Sequence, residues 1–229
     1  MKKIGIIADI HSNLNALDAV LNDMPKTDKI VCAGDLVGYG PQPNEVLDRM
    51  KSQNILSVTG NHDYAITKKN FEMLEEIGRK AAEWTFKELS EENLEYLRKL
   101  ENKKVLNESG YEIFICHGTP RNPLKEYLSP SASNRTTLKM TQNVNSDVII
   151  LGHTHVPLNR TLQGKMIINP GSVGQPRDRN PNASYAILEL SEKKEITQKR
   201  VEYDTKKTAE KIKEAGLPEK LSNRLHFGW

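Results

Sequence analysis

Residues 4–35 read IGIIADIHSNLNALDAVLNDMPKTDKIVCAGD, and the order of features within them decides the fold class. Residues 4–8 are a short apolar run that stops at Asp9. From 13 to 24, Leu14, Leu17, Val20 and Leu21 recur at helical spacing, and Pro25 ends the pattern. Residues 29–33 are a second apolar run, stopped by Gly34-Asp35. Strand, helix and strand in that order form one crossover unit of a parallel sheet, because parallel neighbours need a long connection between them.

Outward from this stretch the unit repeats. Residues 43–51 read as a helix with Pro43 near its start, where the missing N–H is harmless. Residues 55–58 form a third strand that ends at Gly60-Asn61. Asp35 follows Asp9 by 26 residues and Asn61 follows Asp35 by 26, each step about one unit of roughly 30 residues. Polar residues at the carboxyl ends of successive parallel strands line the crevice where such sheets bind ligands.

Beyond residue 70 the pattern changes. Residues 71–100 read as two helices, with Ser90 as an N-cap and Glu91 and Glu92 in the first turn that follows. Residues 105–106, 111–116 and 148–151 read as strands, with a helix over 133–144. Residues 160–169 form a hairpin turning at Gln163-Gly164, 184–190 and 195–203 form another, and 205–215 a helix. No repeat, low-complexity tract or linker interrupts the chain. The expectation is one α/β domain over 1–229, in which the segment from about residue 184 completes a second, more antiparallel sheet stacked on the first.

Bulk properties set limits. Of 229 residues, 28% are charged and 37% apolar, ordinary for a soluble protein. The net charge of +3 is too slight to argue for nucleic acid, and the late Lys-rich stretches read as solvated helix faces. Cys32 and Cys116 lie in apolar runs and read as small core residues, which fits a reducing cytoplasm. The first residues carry no secretory pattern, and no run approaches the roughly 20 apolar residues of a membrane helix.

The chemistry gathers at the strand ends. Asp9 and His11 stand in ADIHSN, Asp35 in AGDLVG, Asn61 and His62 in TGNHDY, His117 in ICHGTP, and His153 and His155 in LGHTHV. Five of the six histidines belong to this set, and only His226 lies outside it. If the strand before GHTH stays extended, His153 and His155 point to the same side. Carboxylate, amide and imidazole make a mixed oxygen and nitrogen ligand field suited to Mn, Fe, Zn or Co. The set is too large for one ion and divides between two if a carboxylate bridges them. Asp35, alone in the central segment, is the candidate bridge. Two ions about 3.5–4 Å apart clamp an in-line displacement and lower the pKa of water from about 15.7 to roughly 7. Such a centre suits a phosphoryl electrophile.

Taken singly, each residue has a plainer reading. Asp9 and Asp35 could cap the following helices, and Asn61 could form a turn. His11 and His117 could be ordinary loop residues. Arg121, Arg177 and Arg179 stand in Gly/Pro-rich loops and offer guanidinium forks to phosphate, or simply face water. Tyr39 in GYGP could stack on an aromatic group or pack under its loop. The joint occurrence of the set is what favours a metal centre.

The ordered series D-x-H, G-D, G-N-H-D, H-G and G-H-x-H, from Asp9 to His155, resembles the calcineurin-like metallophosphoesterases. GDLVGYGPQPNEV, HGTPRNPL and NPGSVGQPRD resemble its compact prokaryotic branch of YfcE-type and diadenosine tetraphosphatase-related enzymes. The resemblance implies two stacked mixed sheets flanked by helices, an α-β-β-α sandwich. It implies two divalent ions, Mn first and Fe, Zn, Ni or Co as alternatives. Asp9, His11 and His155 would hold one ion, Asn61, His117 and His153 the other, and Asp35 both. His62 would bind no metal and would assist the leaving oxygen, with Asp63 orienting its ring. Tyr39, Asn61, Arg121 and Arg177 are the candidate substrate contacts. The implied reaction is hydrolysis of a small phosphodiester or phosphomonoester by a hydroxide held between the ions. A dinucleoside polyphosphate or phosphoprotein substrate is the alternative. Scaffolds of this fold have degraded metal sites, whereas every ligand position is filled here. Self-association is left open.

Overall fold

The computed structural model describes residues 1–229, and its first third alternates as the opening stretch requires. β1 (Lys2–Ile7), α1 (Leu14–Asp23), β2 (Lys29–Cys32), α2 (Pro43–Ser52), β3 (Leu56–Ser57) and α3 (Asn61–Lys68) come first. A 3-10 turn at Phe71–Met73 leads into α4 (Glu76–Glu88) and α5 (Glu91–Arg98). Then follow β4 (Lys103–Glu108), β5 (Tyr111–Cys116), α6 (Asn134–Thr141), β6 (Val148–Ile150), β7 (Leu158–Leu162) and β8 (Lys165–Asn169). β9 (Ala183–Leu190), β10 (Lys194–Val201), α7 (Thr205–Glu214) and α8 (Glu219–Phe227) complete the order.

Two five-stranded mixed sheets result, ordered β10-β9-β1-β2-β3 and β4-β5-β6-β8-β7. β1, β2 and β3 are parallel, as are β5, β6 and β8. Strand alternation explains the layering. Ile4, Ile6 and Ala8 join Val31, Ile113, Ile115, Val148, Ile150 and Ile168 in one buried cluster between the sheets. Ile7 and Ile10 point the other way, into the cluster that α1, α2 and α5 cover with Leu17, Val20, Leu47 and Leu97. Phe114, Ile149 and Ile167 form the outer cluster of the second sheet, on which Met140 of α6 packs. The helices start where the sequence signals them: the Asn13, Ser90 and Ser133 side chains accept backbone N–H groups at the starts of α1, α5 and α6.

One expectation is corrected. β9 and β10 join the first sheet, not the second: β9 pairs antiparallel with β1, with Ile4 opposite Leu188. Seven of the eight β9 residues are buried, so the strand needs cover on both faces. Ala186, Leu188 and Leu190 face the other sheet, while Ala183, Tyr185 and Ile187 lie in the cluster covered by α1. Two helices escaped the sequence reading. α3 begins inside GNHD, where the plainer reading of Asn61 was a turn, and α8 lies beyond the helix expected over 205–215.

Candidate metal centre

All seven expected ligand residues converge at the carboxyl ends of the strands. Donor atoms of Asp9, His11, Asp35 and His155 lie within 4.8 Å of one another, as do those of Asp35, His117 and His153. Asp35 belongs to both groups. Asn61 adds its amide oxygen 3.0 Å from His117 Nε2.

Backbone carbonyls aim the imidazoles. His11 Nδ1 meets Val37 C=O at 3.3 Å, His117 Nδ1 meets Ala33 C=O at 2.8 Å, and His155 Nδ1 meets Gln175 C=O at 2.6 Å. A carbonyl oxygen only accepts, so each Nδ1 carries a proton and each Nε2 turns to the centre. His11 Nε2 and His155 Nε2 then face each other at 3.1 Å with no proton of a neutral ring between them. His117 Nε2 faces Asp35 Oδ2 at 3.2 Å. His153 Nε2 is buried with no partner. Converging lone pairs, two carboxylates and an orphaned nitrogen are the donor set of a divalent cation, and these residues fit one.

The electrostatics agree. Burial pushes Asp9 up to about 7. Burial also raises Asp35, but His117, His62 and His11 together hold it well below the usual carboxylate range. Burial opposes a proton on His117, yet Asp35 and Asp9 lift it to about 9. Burial drives His62 down to about 4 and His153 to about 3, with His11 and His155 well below their ordinary value. Without a cation, a proton on His117 supplies part of the missing positive charge.

The backbone is unusual here. Asp9, His11, Ser12, Asp35, Tyr39, His153 and His155 all have φ between 48° and 70°. Non-glycine residues seldom adopt this region, and such strain collects at functional sites. It also corrects the reason given for GHTH. β6 ends at Ile150, and His153 and His155 sit in a loop rather than on an extended strand. His153 packs beside His117 and His155 beside His11 because each has a left-handed backbone. Asn169 holds that loop by donating to Gly152 C=O and Thr154 Oγ1, and Asp9 accepts the His153 N–H at 3.1 Å.

Asp63 does not orient His62. Its oxygens accept the backbone N–H groups of Leu36, Val37 and Gly60, while His62 Nδ1 has no partner. Asp63 therefore ties the Asp35 loop to the start of α3, where a short side chain at the third helical position reaches back to the cap. Burial and Asp35 raise it to about 7 against the pull of these three bonds. The His62 N–H donates to Asp35 Oδ1 at 2.8 Å, so the positive end of α3 faces that carboxylate. Gly60 is needed because a Cβ there would lie 2.2 Å from Asp35 N.

Among the substrate candidates, Tyr39 packs on His11 and His62, with ring centroids 4.7 and 4.4 Å away. Arg177 donates to Tyr39 Oη and Gln175 Oε1 and faces the same cavity as Asn61 and His62. Arg121 does not reach the site; it pairs with Glu126 in its own loop. Sequence reasoning missed Tyr127, whose ring stacks on His153 at 3.6 Å, and the role of the Ser172 hydroxyl, which donates to Asp9 C=O. Tyr127 lies in no motif and carried no signal. Ser172 stands in NPGSVGQPRD, which carried only the family resemblance.

A two-sheet sandwich with Asp, His and Asn side chains gathered at its strand ends defines a metal-dependent phosphoesterase. Residues 1–193 match the calcineurin-like phosphoesterase superfamily domain, and the chain belongs to that family. It is 40% identical to the uncharacterized protein MJ0912 of Methanocaldococcus jannaschii, over 98% of each chain. The phosphodiesterase YfcE of Escherichia coli is 26% identical over 82% of this chain and 88% of its own. A metallophosphoesterase crystal structure from Sphaerobacter thermophilus superposes with a TM-score of 0.87 at 37% identity, covering 100% of this chain and 99% of its own. No helix is long and apolar enough to cross a membrane.

Proposed function

We propose that the protein hydrolyses the phosphodiester or phosphomonoester bonds of small molecules at two divalent cations, manganese being the first candidate. Asp9, His11, Asp35 and His155 would hold one ion, and Asp35, Asn61, His117 and His153 the other. Bound divalent ions supply positive charge to phosphoryl oxygens and bring the pKa of water down to roughly 7. The reading is carried by the three imidazoles fixed through Nδ1, whose Nε2 atoms converge on Asp9 and Asp35.

The chain's own groups position the ester. The Arg177 guanidinium borders the centre and offers its fork to the non-bridging oxygens. His62 lines the same cavity as Arg177 and would donate a hydrogen bond to the departing oxygen. Tyr39 packs against both His11 and His62 and fixes their separation. Buried surroundings keep bulk water from screening these charges.

The test is turnover of a bis-aryl phosphate, an aryl monophosphate, diadenosine tetraphosphate and a phosphopeptide by chelator-stripped protein before and after adding Mn. The diester or the aryl monophosphate is turned over only after addition, and Asp35→Asn removes that turnover. Equal turnover with and without metal, or full activity in Asp35→Asn, would overturn the reading. Exclusive hydrolysis of the polyphosphate or the phosphopeptide would replace the substrate class while keeping the centre.

A further inference from the structure

The residues after β10 add a wall to the centre that none of the motifs contains. α7 and α8 form an apolar cluster of Ile212, Leu217, Leu221 and Leu225 with Ala81 of α4, and Tyr39 packs against it. α8 ends at Gly228, whose left-handed backbone, φ 67°, lies against Asn180. Gly228 C=O accepts the Arg179 N–H at 2.9 Å, locking this end to the loop that carries Arg177. Trp229 and Arg224 are thereby held at a cavity of about 260 Å³ that Asn61 and His62 also line.

The composition of the cavity states what it accepts. Tyr39, Tyr127 and Trp229 give it three aromatic rings. Trp229 is 63% exposed and Tyr127 55%, a large apolar area left in water beside a buried centre. Arg177 and Arg224 bring two guanidinium groups against one carboxylate, Glu75. Arg49, Arg98, Arg121 and Arg200 are ion-paired elsewhere on the molecule, but neither cavity arginine is. An unpaired, half-buried guanidinium beside aromatic faces suits a planar ring that bears an anion. The volume lies below the roughly 300–1,000 Å³ of pockets that enclose drug-sized ligands and is ample for one substituted ring.

We infer that Arg224 and Trp229 form a specificity subsite for an aromatic leaving group carrying its own negative charge. The inference rests on the phosphoesterase reading above and adds the chemistry of the group on the His62 side of the scissile bond. Hydrolysis cleaves the phosphorus–oxygen bond to this group. Water supplies the oxygen to phosphorus, and its protons are shared between the released phenol and the medium. Trp229 stacks on the ring and Arg224 pairs with its charge. Arg177 stays with the phosphoryl oxygens.

The experiment compares two chromogenic esters in Mn-loaded protein, methyl 4-nitrophenyl phosphate and methyl 3-carboxy-4-nitrophenyl phosphate. The wild type favours the carboxylated ester by about tenfold in kcat/KM, the effect of one charge-assisted contact. Arg224→Gln brings that ratio to about one, Arg224→Lys restores part of it, and Trp229→Leu raises KM for both esters about fivefold or more. Melting temperatures of the variants verify folding. Equal kcat/KM for the two esters in the wild type, or an unchanged ratio in folded Arg224→Gln, overturns the subsite alone. Failure of the wild type to turn over either ester overturns the subsite, and failure with the aryl monophosphate as well overturns the phosphoesterase reading together with it.

Discussion

His11 and His155 meet with their Nε2 atoms 3.1 Å apart, and each proton is held on the far nitrogen by a backbone carbonyl. The arrangement is costly unless a cation sits among the rings, so single residues decide both chemistry and stability. His62→Ala should lower kcat for an aryl phosphate ester by about 10²-fold or more with little change in metal content. Steady-state kinetics with metal analysis will check this, and loss of metal with unchanged kcat per bound ion would place His62 among the ligands instead. In the metal-free protein the site also sets a pH profile. His11, His62, His153 and His155 have folded pKa values below 6.5, so the unfolded chain binds protons that the native one refuses, and stability rises with pH up to about 6.5. Asp9 and Asp63, raised from 3.8 to about 7, work in the opposite direction, but they are two against four. His117, raised to about 9, keeps its proton in the native state, so its stabilisation is lost as pH rises from 6.5 through 9. The melting temperature of chelated protein should therefore peak near pH 6.5, and a monotonic rise to pH 9 would contradict these charge assignments.

Elements carry the residues to their places. β1, β2 and β3 lead into Asp9, Asp35 and Asn61 because two similar crossover units lie side by side, and this much was legible from spacing alone. The left-handed loops were not legible. Nothing in the side-chain pattern of GHTH signals φ of 70° at His153 and 59° at His155, since those angles are imposed by Asn169, Asp9 and Gln175 from other segments. Nor could GNHD show that Asp63 faces backbone N–H groups rather than His62; a carboxylate next to a histidine fits either role until the helix start is known. The α3 start gives a sharp contrast between two substitutions. Gly60→Ala places a Cβ 2.1 Å from Asp35 Oδ1, which should cost about 1–3 kcal/mol and most of the metal affinity. Ser90→Ala removes only a cap from α5, should cost about 1 kcal/mol, and should leave metal binding intact. Denaturant melts and metal titrations of the pair separate a damaged site from a weakened helix.

At the scale of the molecule, the sandwich faces its two sheets together through Ile, Val and Leu and leaves the strand ends free for chemistry. The two-sheet class was legible because apolar runs recur at regular distances, but the membership of β9 and β10 was not. Pairing a strand near residue 188 with one near residue 4 is a long-range choice, decided by the open edge of β1 and by the burial of both β9 faces. The subsite walled by α8 escaped for the same reason, since its residues gain meaning only once they lie beside Tyr39 and His62. Ligands drawn from five strand ends and their loops also couple metal to folding. Manganese at about 100 times its Kd should stabilise the native state by about 2.7 kcal/mol per site. The measurement that tests the account most directly is the metal content of reconstituted wild type and Asp35→Asn by elemental analysis. The account predicts two manganese ions per wild-type chain and fewer than one in the variant, since Asp35 belongs to both donor groups. A wild type that binds none or one, or an Asp35→Asn variant that keeps two, would contradict it.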